Sequence, residues 1–171
     1  MSSYRDLETY CESMFLQSGP YWHIYTPGVE TSVLFGTKED YVFMMNLICQ
    51  AAVDTDGIEI LAFEVMSNHL HMVVSGEKPN AEKLFAFMDK RLRRCAKTLI
   101  CKEIPSSFIA QYKEIDSLQS LRNTIVYVNR NGFVTDRKYT PFSYPWGTGK
   151  YFFNEADFVG VNADLTVNER R

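Results

Sequence analysis

Hydrophobic positions along the chain follow two periods, and the switches between them divide it into elements. Residues 38–54 carry Met44, Leu47, Ile48 and Ala51 at i, i+3, i+4 and i+7, which predicts a helix with one buried face. Residues 80–100 repeat that spacing with Leu84, Phe85, Met88, Leu92, Cys95 and Leu99, until Ile104-Pro105 breaks it. Between these helices, residues 58–66 (IEILAFEVM) are apolar on both faces apart from Glu59 and Glu64, which predicts a central strand. Residues 21–26 (YWHIYT, closed by Pro27-Gly28), 69–75 (HLHMVVS) and 108–115 (FIAQYKEI) predict three more strands. Ser67-Asn68 reads as the turn joining two of them. A third helix follows, with Asp116 and Gln119 as a capping box and Gly132 as its C′ residue. Its apolar stripe is Leu118, Leu121, Ile125 and Val128.

The order strand, helix, strand, strand, helix, strand, helix predicts an α+β fold, ferredoxin-like or RRM-like, with an antiparallel sheet covered by helices. No repeat, low-complexity tract or linker splits the main domain, set at residues 21–152. Residues 1–20 read as an N-terminal extension, partly helical around Leu7–Leu16, and 153–171 as a C-terminal tail. The 171 residues suit a single core, and 46% hydrophobic composition argues against disorder.

No stretch approaches the ~20 consecutive apolar residues of a membrane span. The N-terminus, MSSYRDLETYCE, is polar and acidic and does not read as a secretion signal. Cys11, Cys49, Cys95 and Cys101 form no C-x-x-C pair, so reduced, mostly buried thiols in a cytoplasmic protein are expected. The net charge is −3, yet it is unevenly spread. Residues 1–64 hold two basic and ten acidic side chains; residues 65–171 hold sixteen and eleven. Phosphate binding needs a local positive patch, not a positive total.

The sharpest local chemistry is Asn68-His69-Leu70-His71. Side chains alternate along a strand, so both imidazoles are expected on one face, their Cα atoms roughly 7 Å apart. That spacing lets two imidazoles converge on one metal ion, although two half-exposed surface histidines would give the same short pattern. On the third helix Tyr127 falls opposite the apolar stripe, with Asn131 one turn later on the same side. A tyrosine there is ordinarily an amphipathic surface residue.

The segment AFEVMSNHLHMVVSG resembles the HUH motif of single-tyrosine transposases, especially the REP-associated tyrosine transposases. FIAQYKEIDSLQSLRNTIVYVNRNGFV resembles their nucleophile region, and SYPWGTGKYFF the aromatic segment that follows it. The resemblance spans roughly residues 21–152 and implies the HUH endonuclease fold. It implies His69 and His71 as metal ligands, Tyr127 as nucleophile and Asn131 as the residue completing coordination. That family usually has proline directly after this Asn; here it is Gly132. The implied reaction is metal-dependent cleavage and transfer of single-stranded DNA, on a stem-loop, through a 5′-phosphotyrosine. It would serve DNA transposition, with Mg²⁺ or Mn²⁺ as cofactor. Some related transposases dimerise and exchange the tyrosine helix, while REP-associated ones can act alone.

DNA contacts are expected on the second helix. Lys90, Arg94 and Lys97 share a face there, with Arg91 and Arg93 beside it, although such a run also serves as a solvated helix face. Three other readings compete. Histidine-triad nucleotide hydrolases need a further histidine where Val73 stands. An RRM-like nucleic-acid-binding module needs exposed aromatics where the histidines lie. A domesticated, non-cleaving DNA-hairpin-binding protein could retain every catalytic side chain.

Overall fold

The computed structural model describes residues 4–28, 32–99 and 103–151. The expected tail at 153–171 lies outside them. The elements are α1 (Tyr4–Ser18), β1 (Tyr21–Tyr25), α2 (Lys38–Asp54), β2 (Ile58–Val65), β3 (Leu70–Gly76), α3 (Lys78–Leu99), β4 (Gln111–Ile115), α4 (Leu118–Val128) and α5 (Asn131–Thr135). Gly149–Tyr151 adds one 3-10 turn. The four strands form one antiparallel sheet in the order β2-β3-β1-β4.

The histidine-bearing strands β1 and β3 are therefore the central pair, and β2 lies at an edge, not at the centre as its apolar pattern suggested. Its apolarity has another cause: α2 and α3 cover one of its faces and α4 the other, while the segment after α5 takes up its open edge. Val65 N–H donates to the Trp146 carbonyl at 2.8 Å and Thr148 N–H to the Phe63 carbonyl at 3.0 Å, with a bridge between Glu64 and Gly147. The edge is thereby withdrawn from solvent.

Two clusters of apolar side chains hold the layers. Ile24, Phe63, Val65, Leu70, Met72 and Val74 pack on one sheet face against Met44, Ile48, Leu84, Met88 and Leu92 of α2 and α3. The other face meets α4: Tyr21, Ala62, Val73 and Ile115 pack with Leu121 and Val128. A β-bulge between Ile60 and Ala62 switches the alternation of β2, so Ile60 faces the first cluster and Ala62 the second.

Residues 4–18, expected to be only partly helical, form a full helix whose Phe15 stacks on Tyr21 at 4.8 Å. Leu84, Phe85, Met88 and Leu92 keep the expected inward face of α3, with Ala96 rather than Cys95 fully buried; the Leu99 side chain lies outside the described residues. Cys11, Cys49 and Cys95 are half-buried thiols outside any disulfide, less enclosed than expected.

The caps of α4 differ from the sequence reading. Ser117, not Asp116, is the N-cap and accepts from Ser120 N–H; Asp116 accepts from the Ser120 hydroxyl instead. The helix ends at Val128, with Asn129 as C-cap, and Gly132 sits inside α5. Gly132 answers to space rather than to helix termination. A Cβ there would lie 2.3 Å from the Tyr144 ring, whose hydroxyl donates to the Val65 carbonyl at 2.8 Å.

Candidate active site

Directly opposed residues of an antiparallel pair share a face, and the registers bring five functional side chains to the α4 side. His71 lies between Tyr25 on β1 and Glu64 on β2; His23, two residues before Tyr25, lies opposite Lys113 on β4. His69 stands just before β3, yet its ring meets His71 edge-on at 5.0 Å. The three histidines of the chain are thus gathered in one place.

α4 crosses above them. The Tyr127 ring is edge-on to His71 at 5.4 Å and to His23 at 5.9 Å, while 51% of the residue stays exposed. A groove of about 680 Å³ runs from this cluster between β4 and α4. It is lined by His23, Tyr25, His71, Lys113, Asn123 and Tyr127, among others. It is open and adjacent to the phenol, and its lining mixes polar and aromatic side chains.

Each histidine has a defined setting. Asn68 donates from Nδ2 to the Gly28 carbonyl at 2.5 Å, which turns its Oδ1 towards His69. His69 Nδ1–H donates to that oxygen at 2.7 Å, so neutral His69 carries its lone pair on Nε2. Gly28 packs on the same ring; a Cβ there would lie 2.7 Å from His69 Nδ1. His71 Nδ1 and His23 Nε2 share a hydrogen bond of 3.1 Å. Burial lowers all three imidazoles. His71 falls to about 3, aided by His69 and His23, and His23 to about 4, aided by the Lys113 ammonium. The rings are therefore neutral at physiological pH, the form that ligates metals.

Glu64 is a buried carboxyl that accepts from Gly132 N–H at 3.0 Å and from the Asn131 backbone. Burial raises it to about 7 against those two hydrogen bonds. It anchors the start of α5 to the sheet beside His71.

Asn131 opens α5 rather than continuing α4. Its Nδ2 donates to the Tyr127 and Val128 carbonyls at 3.0 and 3.1 Å, closing the end of the tyrosine helix. Its remaining side-chain polar atom is Oδ1, the end that a metal would use.

Two neutral imidazoles at this spacing suit a divalent ion whose other positions are filled by oxygens. Among the described residues no group of three or more His, Cys, Asp or Glu side chains is arranged around one ion. The donor set fits a shared, substrate-completed site rather than a closed protein cage.

The basic residues of α3 lie elsewhere. α3 packs with α2 on the sheet face away from the histidines. Arg93 is taken up internally, paired with Asp89 at 2.9 Å and donating to the Ile104 and Phe108 carbonyls at 3.0 and 3.1 Å. Lys97 pairs with Glu103 at 2.8 Å, and Arg91 lies over the Phe87 ring at 5.4 Å. Lys90 and Arg94 remain exposed.

Sequence reasoning places His23 in a strand but misses it as a site residue, and with it Lys113, Asn68 and Glu64. His23 and Tyr25 alternate in YWHIYT as His69 and His71 do in HLHM. That alternation is the available signal; the register that brings His23 beside His71 is not local.

The fold is thus α+β, a four-stranded antiparallel sheet covered by helices on both faces. A solved structure with this fold is that of a REP-associated tyrosine transposase bound to a REP hairpin. The two align over 77% of this chain and 76% of that one, with a TM-score of 0.53 and 14% sequence identity. At that identity the likeness shows the fold. No protein-family model matches the chain, and no curated protein matches its sequence. No described helix is long and apolar enough to cross a membrane.

Proposed function

We propose that this protein is a metal-dependent single-stranded DNA endonuclease of the transposase type, with Tyr127 as nucleophile. One observation carries the reading: a half-exposed phenol on a helix lies over a cluster of neutral histidines, at the mouth of a polar groove.

In this reading Tyr127 Oη attacks the scissile phosphorus and the P–O3′ bond breaks. The phenolic proton ends on the released 3′-hydroxyl, and the 5′-phosphate remains on the tyrosine. One phosphodiester replaces another, so the step is near balance, and a 3′-hydroxyl can reverse it. An ion held by His69 and His71, with Asn131 Oδ1 as the third protein donor, would withdraw charge from the phosphate; Mn²⁺ or Mg²⁺ suits these donors. His69 and His71 remain neutral, Asn131 fixes the end of the tyrosine helix, and Lys113 offers the groove a cation for a neighbouring phosphate. The exposed Lys90 and Arg94 of α3, with Lys97, would contact a second stretch of backbone.

The hairpin-bound neighbour supports stem-loop DNA as the substrate. Tyr127 and the histidines come from one chain, so the site does not need a homodimer to assemble. Incubation of the protein with labelled stem-loop DNA and Mn²⁺ should give an adduct that survives denaturation. Tight binding with no adduct on any stem-loop would instead support a non-cleaving hairpin-binding relative.

A further inference from the structure

His23 is the one histidine to which the proposed reaction gives no role, yet it is buried and hydrogen-bonded to His71. The contact joins His23 Nε2 to His71 Nδ1 at 3.1 Å. Two neutral imidazoles can share a proton in only two ways. If His23 Nε2–H donates, His71 must carry its own proton on Nε2 and has no lone pair there for a metal. If His71 Nδ1–H donates, His71 Nε2 is bare.

His69 shows which arrangement matches. Its Nδ1–H is held by Asn68 Oδ1, whose orientation is fixed by the Nδ2 bond to the Gly28 carbonyl. His69 therefore presents Nε2; on His71 the contact with His23 occupies Nδ1, so Nε2 is the nitrogen left for an ion and must be bare to ligate it. Metal-bound histidines usually donate their second N–H to a carboxylate, carbonyl or water. Here the atom opposite His71 Nδ1 is an imidazole nitrogen. Tyr25 on the same strand, at 4.9 Å, and Tyr127 on α4, at 5.9 Å between ring centroids, flank the His23 ring.

We infer that His23 is a positioning residue: as the Nδ1–H tautomer it accepts from His71 Nδ1–H and thereby frees His71 Nε2 for the metal. This rests on the metal reading above. The same ring lies edge-on to Tyr127, so the residue that sets the ligand also packs against the nucleophile.

The test uses the whole protein without metal and needs no activity. Imidazole ¹⁵N NMR of wild type should show His71 protonated on Nδ1 and bare on Nε2. His23→Phe, which keeps a ring but no acceptor, should lose that preference and bind Mn²⁺ about 10- to 100-fold more weakly, the usual cost of removing such a partner. His23→Gln, which keeps an acceptor oxygen, should recover part of the affinity. A wild-type His71 protonated on Nε2, or Mn²⁺ affinity within twofold in His23→Phe, overturns the inference. Wild-type protein that binds no Mn²⁺ while showing the Nδ1–H tautomer overturns the metal reading itself, and leaves the contact as a structural hydrogen bond.

Discussion

Glu64 shows how a single side chain can carry opposing demands. Its carboxylate receives two backbone N–H groups from the start of α5, yet burial raises it from the ordinary 4.5 to about 7. The folded state therefore keeps this proton to higher pH than the unfolded chain does. The resulting stability is complete below about 4.5 and is lost as pH rises to about 7. Relative to Glu64→Gln, wild type should lose on the order of 3 kcal/mol across that window, at ~1.4 kcal/mol per pK unit. Urea denaturation of both proteins at pH 4.5 and 7.5 checks this; parallel profiles would contradict it. Gly28 makes a second demand, for space. Alanine there would meet His69 Nδ1 at 2.7 Å, so Gly28→Ala should displace the ring and weaken Mn²⁺ binding about tenfold, read by calorimetry. An unchanged affinity would show that the His69 ring does not ligate the ion. The pair His69 and His71 was legible because two histidines separated by one residue are close wherever the chain is extended. His23 was not, since its proximity to His71 depends on strand pairing across 48 positions.

At the scale of elements, α2, α3 and α4 follow from their periodicity, and the strands from apolar runs between turn residues. The corrections fall where local pattern and tertiary context diverge. β2 reads as central because it is apolar on both faces, but helices cover both faces of an edge strand here, and the Trp146–Thr148 segment, which no local rule relates to it, takes up the open edge. Gly132 reads as a helix terminator, but its lack of a side chain answers to the Tyr144 ring. The basic residues of α3 share a helical face as expected, and the layer order then separates that face from the histidines. Phosphate contacts at two places should therefore be separable. Lys113→Met should weaken binding to unpaired DNA and reduce its salt slope by ~0.7. Neutralising Lys90, Arg94 and Lys97 together should weaken binding to the duplex stem, with the slope falling by ~0.9 for each phosphate left without its cation. Fluorescence anisotropy over a salt series reads both; an unchanged slope in the triple variant would mean that the α3 face is merely solvated.

In the whole molecule, the βαββαβ core gives one sheet face to α2 and α3, and the other to α4 and the chemistry. The sequence carried this layout because alternation on the strands and stripes on the helices agree on one core. It could not carry the overlay of α4 on the histidines, which arises only when the chain after β4 returns across the sheet. That overlay brings Tyr127 and the histidines together within a single chain, and the proposed chemistry depends on it. The direct measurement is adduct formation on one labelled stem-loop with Mn²⁺, by wild type and by Tyr127→Phe, Tyr25→Phe, Tyr112→Phe, Tyr139→Phe and Tyr144→Phe. Tyr127→Phe removes one half-exposed oxygen, so it should abolish the adduct while DNA affinity stays within twofold; the other variants should retain it. An adduct that persists in Tyr127→Phe and disappears in another variant would contradict Tyr127 as the nucleophile.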